Sequence, residues 1–184
     1  MSKIYHTKDL IKLPQNFYLF GYGANNVENL AKRLFGNIAE PGTYSEVNLI
    51  KENSFPGIIK DWKRIFFGHS NNWGGSVASI KESEGNEVYG VLTKINRIGK
   101  KFYIDKKEIN LKGLFSVESV DSGMYWFQPI SKIDNLYVYA FIGNTSEYPA
   151  RKAPSEKYLN AIRKTLRYST GNSKKYFDIP IEYE

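Results

Sequence analysis

The chain contains no cysteine among its 184 residues. That excludes a disulfide framework, a thiolate metal site and a cysteine nucleophile, and it fits a reducing, cytoplasmic setting. Histidine is nearly absent too, with only His6 and His69, far apart in the chain. A zinc site would have to rest mostly on carboxylates, so a zinc-dependent mechanism is not expected. Apolar runs are short, Phe17 to Phe20 being typical. None reaches the 18 or so residues of a membrane helix, so no membrane partner is expected. Met1 to Gln15 lacks the basic, apolar and small-residue succession of a signal peptide. Glycine (15) and proline (7) are at ordinary levels, which excludes collagen-like or low-complexity character.

What is present is globular. Apolar residues make up 41% and charged residues 24%, at a length that suggests one domain spanning 1–184, with a core at about 17–171. The net charge is +7, but the basic residues are scattered, with Lys100-Lys101, Lys106-Lys107 and Lys174-Lys175 the densest groups. This permits an anionic small ligand at a basic rim, without the stripe that a nucleic-acid polymer would require. A homo-oligomer remains compatible with this composition. Aromatics reach 15% and fall in strand-like company with Val and Ile.

Phe17 to Phe20 reads as a strand running into Gly21-Tyr22-Gly23. Val27, Leu30, Ala31 and Leu34 then follow helical spacing, with an Asn as N-cap and Gly36 past the end. Further strands are predicted at Trp62 to Phe67, Ser76 to Lys81, Val88 to Ile95, Leu114 to Val120, Met124 to Ile130 and Leu136 to Ile142. Hairpins are expected around Glu84-Gly85-Asn86 and Asp121-Ser122-Gly123. Asn96 to Glu108 reads as a short helix. A second clear helix opens at Pro154, carries the stripe Tyr158, Leu159, Ile162 and Leu166, and stops at Gly171. A last strand is predicted at Tyr176 to Ile181. The irregular order gives an α+β or mainly β single domain.

Three features carry chemistry. The turn Tyr22-Gly23-Ala24-Asn25, between strand and helix, can aim backbone amides and a helix N-terminus at a carboxylate, a phosphate or an oxyanion. It is neither a dinucleotide fingerprint nor a P-loop, because the third glycine and the Gly-Lys-Ser/Thr are missing. Asp105-Lys106-Lys107-Glu108 brings two carboxylates close; a buried one would titrate nearer neutrality and shuttle a proton. Asn71-Asn72-Trp73-Gly74-Gly75 is a loop able to line a pocket, with Trp73 as apolar wall.

In their order along the chain these segments resemble the γ-glutamylcyclotransferase-like family. Phe20-Gly21-Tyr22-Gly23-Ala24-Asn25 stands for its Phe-x-Tyr-Gly-Ser-Asn. Asp61-Trp62-Lys63-Arg64-Ile65-Phe66-Phe67-Gly68 stands for Asp-Phe-x-Leu-x-Phe-Gly. Trp73-Gly74-Gly75-Ser76-Val77-Ala78-Ser79-Ile80 matches Trp-x-Gly-Gly-x-Ala-x-Ile, and Val88-Tyr89-Gly90-Val91 matches Val-x-Gly-Val. Ile104-Asp105-Lys106-Lys107-Glu108-Ile109 is aligned with Leu-Asp-x-x-Glu-Gly, and Gly113-Leu114-Phe115 with Gly-x-Tyr. Tyr137-Val138-Tyr139 and Pro154-Ser155-Glu156-Lys157-Tyr158 complete the series.

The resemblance implies a small closed mixed β-barrel with a few packed helices. It implies an enzyme that cyclises a γ-glutamyl amine or peptide to 5-oxoproline, without metal or cofactor. Glu108 inherits the general acid/base role. Tyr22, Gly23, Ala24, Asn25, Trp73, Gly74, Phe115 and Tyr139 become the substrate-binding residues. Ala24 in place of Ser, Ile109 in place of Gly and Phe115 in place of Tyr depart from the pattern. These departures leave open a catalytically inactive barrel that binds an anionic small ligand such as a signalling nucleotide, or an interaction module built on exposed aromatics.

Overall fold

The computed structural model describes residues 3–36, 43–171 and 178–184. Strand β1 (Asn16–Gly21) is buried at every position after the first. It lies between two neighbours, antiparallel to β3 (Gly75–Ile98) and parallel to β7 (Leu136–Gly143). A strand covered on both faces needs no polar alternation, which explains the unbroken Phe17-Tyr18-Leu19-Phe20 run.

The sheet order is β5-β4-β3-β1-β7-β6, where β4 is Lys101–Ile104, β5 is Lys107–Ile109 and β6 is Tyr125–Ile133, with β2 (Ser54–Ser70) also paired to β3. This path is mixed but open, so the closed barrel implied by the resemblance is not formed by the ladders of the described residues. Between β3 and the β7–β6 pair individual side chains replace a ladder. The Gly143 amide of β7 donates to Ser79 Oγ at 2.8 Å, and the Tyr125 hydroxyl of β6 donates to the Ala78 carbonyl at 2.8 Å.

Several local expectations change. Glu84-Gly85-Asn86 does not turn the chain back. Both flanking arms pair with β2, and residues 83–86 bulge opposite Asp61, which accepts from the Gly85 amide at 3.0 Å. Asn96 to Glu108 is not helical: β3 continues to Ile98, and β4 (Lys101–Ile104) and β5 (Lys107–Ile109) follow as hairpin strands. Burial of Phe102 and Ile104 around half-exposed Tyr103 is a two-residue period, not a helical one. Leu114 to Val120 is not a strand. Helix α3 (Leu111–Val117) buries Leu111, Leu114 and Phe115, and Asn110 caps it by accepting from the Gly113 amide at 2.9 Å. The Asp121-Ser122-Gly123 turn therefore joins a helix to β6 (Tyr125–Ile133).

Helix α1 (Val27–Phe35) forms as read, with Asn26 as its cap. Helix α2 (Tyr44–Glu52) and a 3-10 helix at Thr7–Lys12 were not foreseen. Helix α4 (Glu156–Thr170) starts after Ser155, whose hydroxyl accepts from the Tyr158 amide. Pro154 thus precedes the cap rather than opening the helix. Of the predicted strand Tyr176 to Ile181, the first two residues lie outside the described residues, and Asp178 to Ile181 is not a strand; beyond it, Tyr183 makes an isolated bridge to Phe66.

The buried residues form one continuous cluster centred on β1, β7 and the faces of α1, α3 and α4. Its densest part is aromatic: Phe127 lies 4.8 Å from Phe115, 4.9 Å from Phe141 and 5.2 Å from Tyr139, ring centre to ring centre. Such pairs add about 0.5–1.5 kcal/mol each beyond their buried area. Among the described residues no helix is long and apolar enough to cross a membrane.

Candidate functional site

The chain leaves β1 at Gly21 and reaches α1 through Tyr22 to Asn26. A β-carbon on Gly21 would collide with the Asn25 carbonyl, so only glycine lets the turn fold this tightly. The turn is held from several sides. Arg64 Nη2 donates to the Tyr22 carbonyl at 2.6 Å, Thr165 Oγ1 donates to the Gly23 carbonyl at 2.7 Å, and Asn29 Nδ2 donates to the Ala24 carbonyl at 2.6 Å. The Tyr22 hydroxyl donates to the Phe141 carbonyl.

This turn lines a cavity of about 420 Å³. Small-molecule sites commonly have this size. Around it stand Trp73 from the β2–β3 loop, Tyr125 from β6, Tyr158 from α4 and Glu118 from the end of α3. Tyr158 is fixed by the Ala78 amide, which donates to its hydroxyl at 2.8 Å, and its ring meets Trp73 edge-on at 5.1 Å.

Glu118 is the carboxylate of the cavity. Its Oε1 accepts from Asn25 Nδ2 at 3.3 Å and lies 3.4 Å from Arg33 Nη1. Arg33 also donates to Asn25 Oδ1, closing a triangle between α1, the turn and α3. Only 14% of the Glu118 side chain is exposed. Burial pushes its carboxyl above the usual glutamate range, and Arg33 and Asn25 offset this in part. Burial also raises Tyr22 well above the ordinary tyrosine value, helped by Tyr158 and Glu118, so its phenol stays protonated. Burial pulls the Arg64 guanidinium down to about 10.

Of the residues expected from sequence, the structure brings Tyr22, Gly23, Ala24, Asn25 and Trp73 to this cavity. It does not bring the others. Glu108 sits on β5, 55% exposed and 3.6 Å from Lys101, and it does not line the cavity. Asp-x-x-Glu at this place forms a hairpin corner, with Asp105 at φ 54°, not a helical face. Phe115 is fully buried in the aromatic core. Tyr139 packs there too, against Tyr5, Phe17 and Phe127. Gly74 follows Trp73 in the loop and turns away at φ 79°.

Sequence reading missed Glu118, Arg33, Tyr125 and Tyr158. A signal existed for Glu118: a lone carboxylate in the otherwise uncharged stretch from Leu114 to Val120. Among the described residues no group of three or more metal-ligating side chains could hold an ion.

No protein-family model matches the chain. The chain has the α+β fold of γ-glutamyl cyclotransferases. A solved γ-glutamyl cyclotransferase superposes with a TM-score of 0.57 at 20% identity, over 91% of this chain and 89% of its own. An uncharacterized protein from Homo sapiens gives 0.57 at 21% identity, over 92% and 90% of the two chains. YkqA from Bacillus subtilis gives 0.61 at 18% identity, over 96% of this chain and 60% of its own. In sequence the chain is similar to the γ-glutamylcyclotransferase of Bos taurus, at 32% identity over 116 residues. That match spans 60% of this chain and about half the length (48%) of the bovine protein.

Proposed function

We propose that the chain is a cyclotransferase that converts a γ-glutamyl amine or γ-glutamyl peptide into 5-oxoproline and the free amine. The observation that carries this reading is Glu118, largely buried and hydrogen-bonded beside the Tyr22–Asn25 turn.

In this reading Glu118 takes the acid/base role that sequence reasoning assigned to Glu108. The α-ammonium of the substrate loses a proton to the Glu118 carboxylate. The freed nitrogen attacks the γ-carbonyl carbon, and amides of the turn stabilise the tetrahedral oxyanion. Glu118 then gives its proton to the departing amine as the carbon–nitrogen bond breaks, and takes up the second proton that the new lactam nitrogen releases, which leaves with the amine as its ammonium or passes to water. A carboxyl raised toward neutrality suits both halves of this exchange. Nucleophile and electrophile belong to one molecule, so the cavity mainly orients and moves a proton. Ala24, lacking a hydroxyl, leaves polar recognition at the turn to backbone and Asn25. The anionic-ligand alternative gains no support from the cavity charge, because Arg33 is already engaged by Glu118 and Asn25.

The test is 5-oxoproline release from a panel of γ-glutamyl amines and peptides. The wild-type chain is expected to turn over at least one, Glu118→Gln to lose turnover, and Glu108→Gln to retain it. Turnover surviving in Glu118→Gln would remove the acid/base assignment.

A further inference from the structure

Arg64 is the cation that holds the Tyr22 carbonyl of the turn. The residue is on β2, opposite Ile80 of β3, and its guanidinium reaches behind the turn to the Tyr22 carbonyl at 2.6 Å. Its Nε is buried and has no hydrogen-bond partner. Among the described residues no carboxylate forms an ion pair with it. A half-buried cation without a counter-ion adds little to stability, and an apolar side chain of similar size would pack there at no desolvation cost. Something other than stability has to account for it.

The peptide it touches suggests what. Tyr22 C=O and Gly23 N–H are the two ends of one peptide unit, and no peptide bond in the described residues is cis. In a trans peptide the two dipoles point in opposite directions. With the carbonyl held toward Arg64, the Gly23 N–H points away from it, on a residue that lines the cavity. A charged donor on the carbonyl draws electron density through the peptide and makes the opposite N–H a stronger donor.

The geometry points to Arg64 as a positioning residue: it clamps and polarises the Tyr22–Gly23 peptide so that the Gly23 amide binds negative charge on the cavity side. This rests on the cyclotransferase reading for the identity of that charge, the oxyanion formed at the γ-carbonyl. A stronger donor helps the oxyanion more than the neutral carbonyl, so the effect falls on kcat rather than KM.

Arg64→Met and Arg64→Lys test this, with two readings. The first is steady-state release of 5-oxoproline. Removing an entire oxyanion donor costs about 100-fold or more, so weakening one through its peptide is expected to lower kcat about ten-fold in Arg64→Met, with KM within about two-fold. Arg64→Lys, which keeps a cationic donor, recovers most of the loss. The second reading needs no turnover. A hydrogen bond at a carbonyl deshields the nitrogen that follows it, so the Gly23 amide 15N resonance moves upfield in Arg64→Met and back in Arg64→Lys. An unchanged kcat, a loss confined to KM, or an unmoved Gly23 resonance overturns the inference. Should Arg64→Met not fold, Arg64→Gln is read against the same two expectations. If the wild-type chain releases no 5-oxoproline from any substrate, the cyclotransferase reading falls, and the Gly23 resonance still decides whether Arg64 polarises the turn.

Discussion

Glu108 and Glu118 are close in sequence and each has one cation at nearly the same distance, Lys101 at 3.6 Å and Arg33 at 3.4 Å. Distance therefore does not separate them. Surroundings do: 55% of the Glu108 side chain is exposed against 14% of Glu118. In water the first pair is screened and contributes little. In the cavity the second carboxylate loses solvation and holds its proton more tightly than a free glutamate does. A carboxylate becomes an acid/base group through what covers it, not through the spacing of its neighbours.

The largest expected effect breaks the comparison directly. Glu118→Gln is expected to lower kcat/KM for 5-oxoproline release by about 100- to 10,000-fold, the range of a lost acid/base group. Glu108→Gln is expected to stay within about two-fold, since an exposed hairpin pair supplies neither proton nor position. Equal losses in the two variants would erase the distinction.

A second effect separates cavity from core. Phe115, expected at the site, is part of the packed aromatic cluster, so Phe115→Ala should cost about 3–5 kcal/mol in a denaturant titration. A loss of activity with wild-type stability would instead put the ring back at the substrate.

The pH profile sharpens the comparison further. The usual glutamate value is 4.5, and Glu118 lies above it because burial outweighs Arg33 and Asn25. The acid limb of kcat/KM should therefore lie above 4.5, with activity rising as the carboxylate forms. Arg33→Gln removes the cation that lowers this value, so the limb moves to still higher pH. Stability runs the other way. A carboxyl that binds its proton more tightly when folded gives its full contribution below its unfolded value and loses it as pH rises through the folded one. An acid limb unmoved in Arg33→Gln would show that Glu118 is not the titrating base.

The smallest effect concerns how Glu118 is aimed. Ser119, next in the chain, ends α3 in the left-handed region at φ 52°. Ser119→Gly should relieve that strain and raise stability by about 0.5 kcal/mol, after the extra freedom glycine gains in the unfolded chain. Thermal melting measures it.

Much of this architecture was legible from local pattern. The short apolar run Phe17 to Phe20 marked a strand. The Val27–Leu34 stripe after an Asn cap marked α1, and the two glycines between them marked the turn; burial of both strand faces and the choice of Asn26 as cap came with folding. Trp73 was recognised as a wall. The errors fell where a local pattern serves two structures equally. Leu114 to Val120 is apolar enough for a strand, but Asn110 caps it as a helix. Glycine at 85 suits a hairpin or a bulge, and pairing of both arms with β2 chose the bulge.

The sequence by itself determined the α+β class, the strand–turn–helix that opens the site, and the residues of that turn. Those depend on dihedral preference and side-chain periodicity, which act over a few positions. Only the tertiary structure decided that the ladders stay open, that Phe115 and Tyr139 are core, and that Glu118 rather than Glu108 faces the turn. Glu118 meets Arg33 across 85 positions of chain, and its shifted proton affinity is a sum over neighbours and excluded water. Neither quantity exists until the chain has folded, because burial and electrostatic coupling are properties of distance in space.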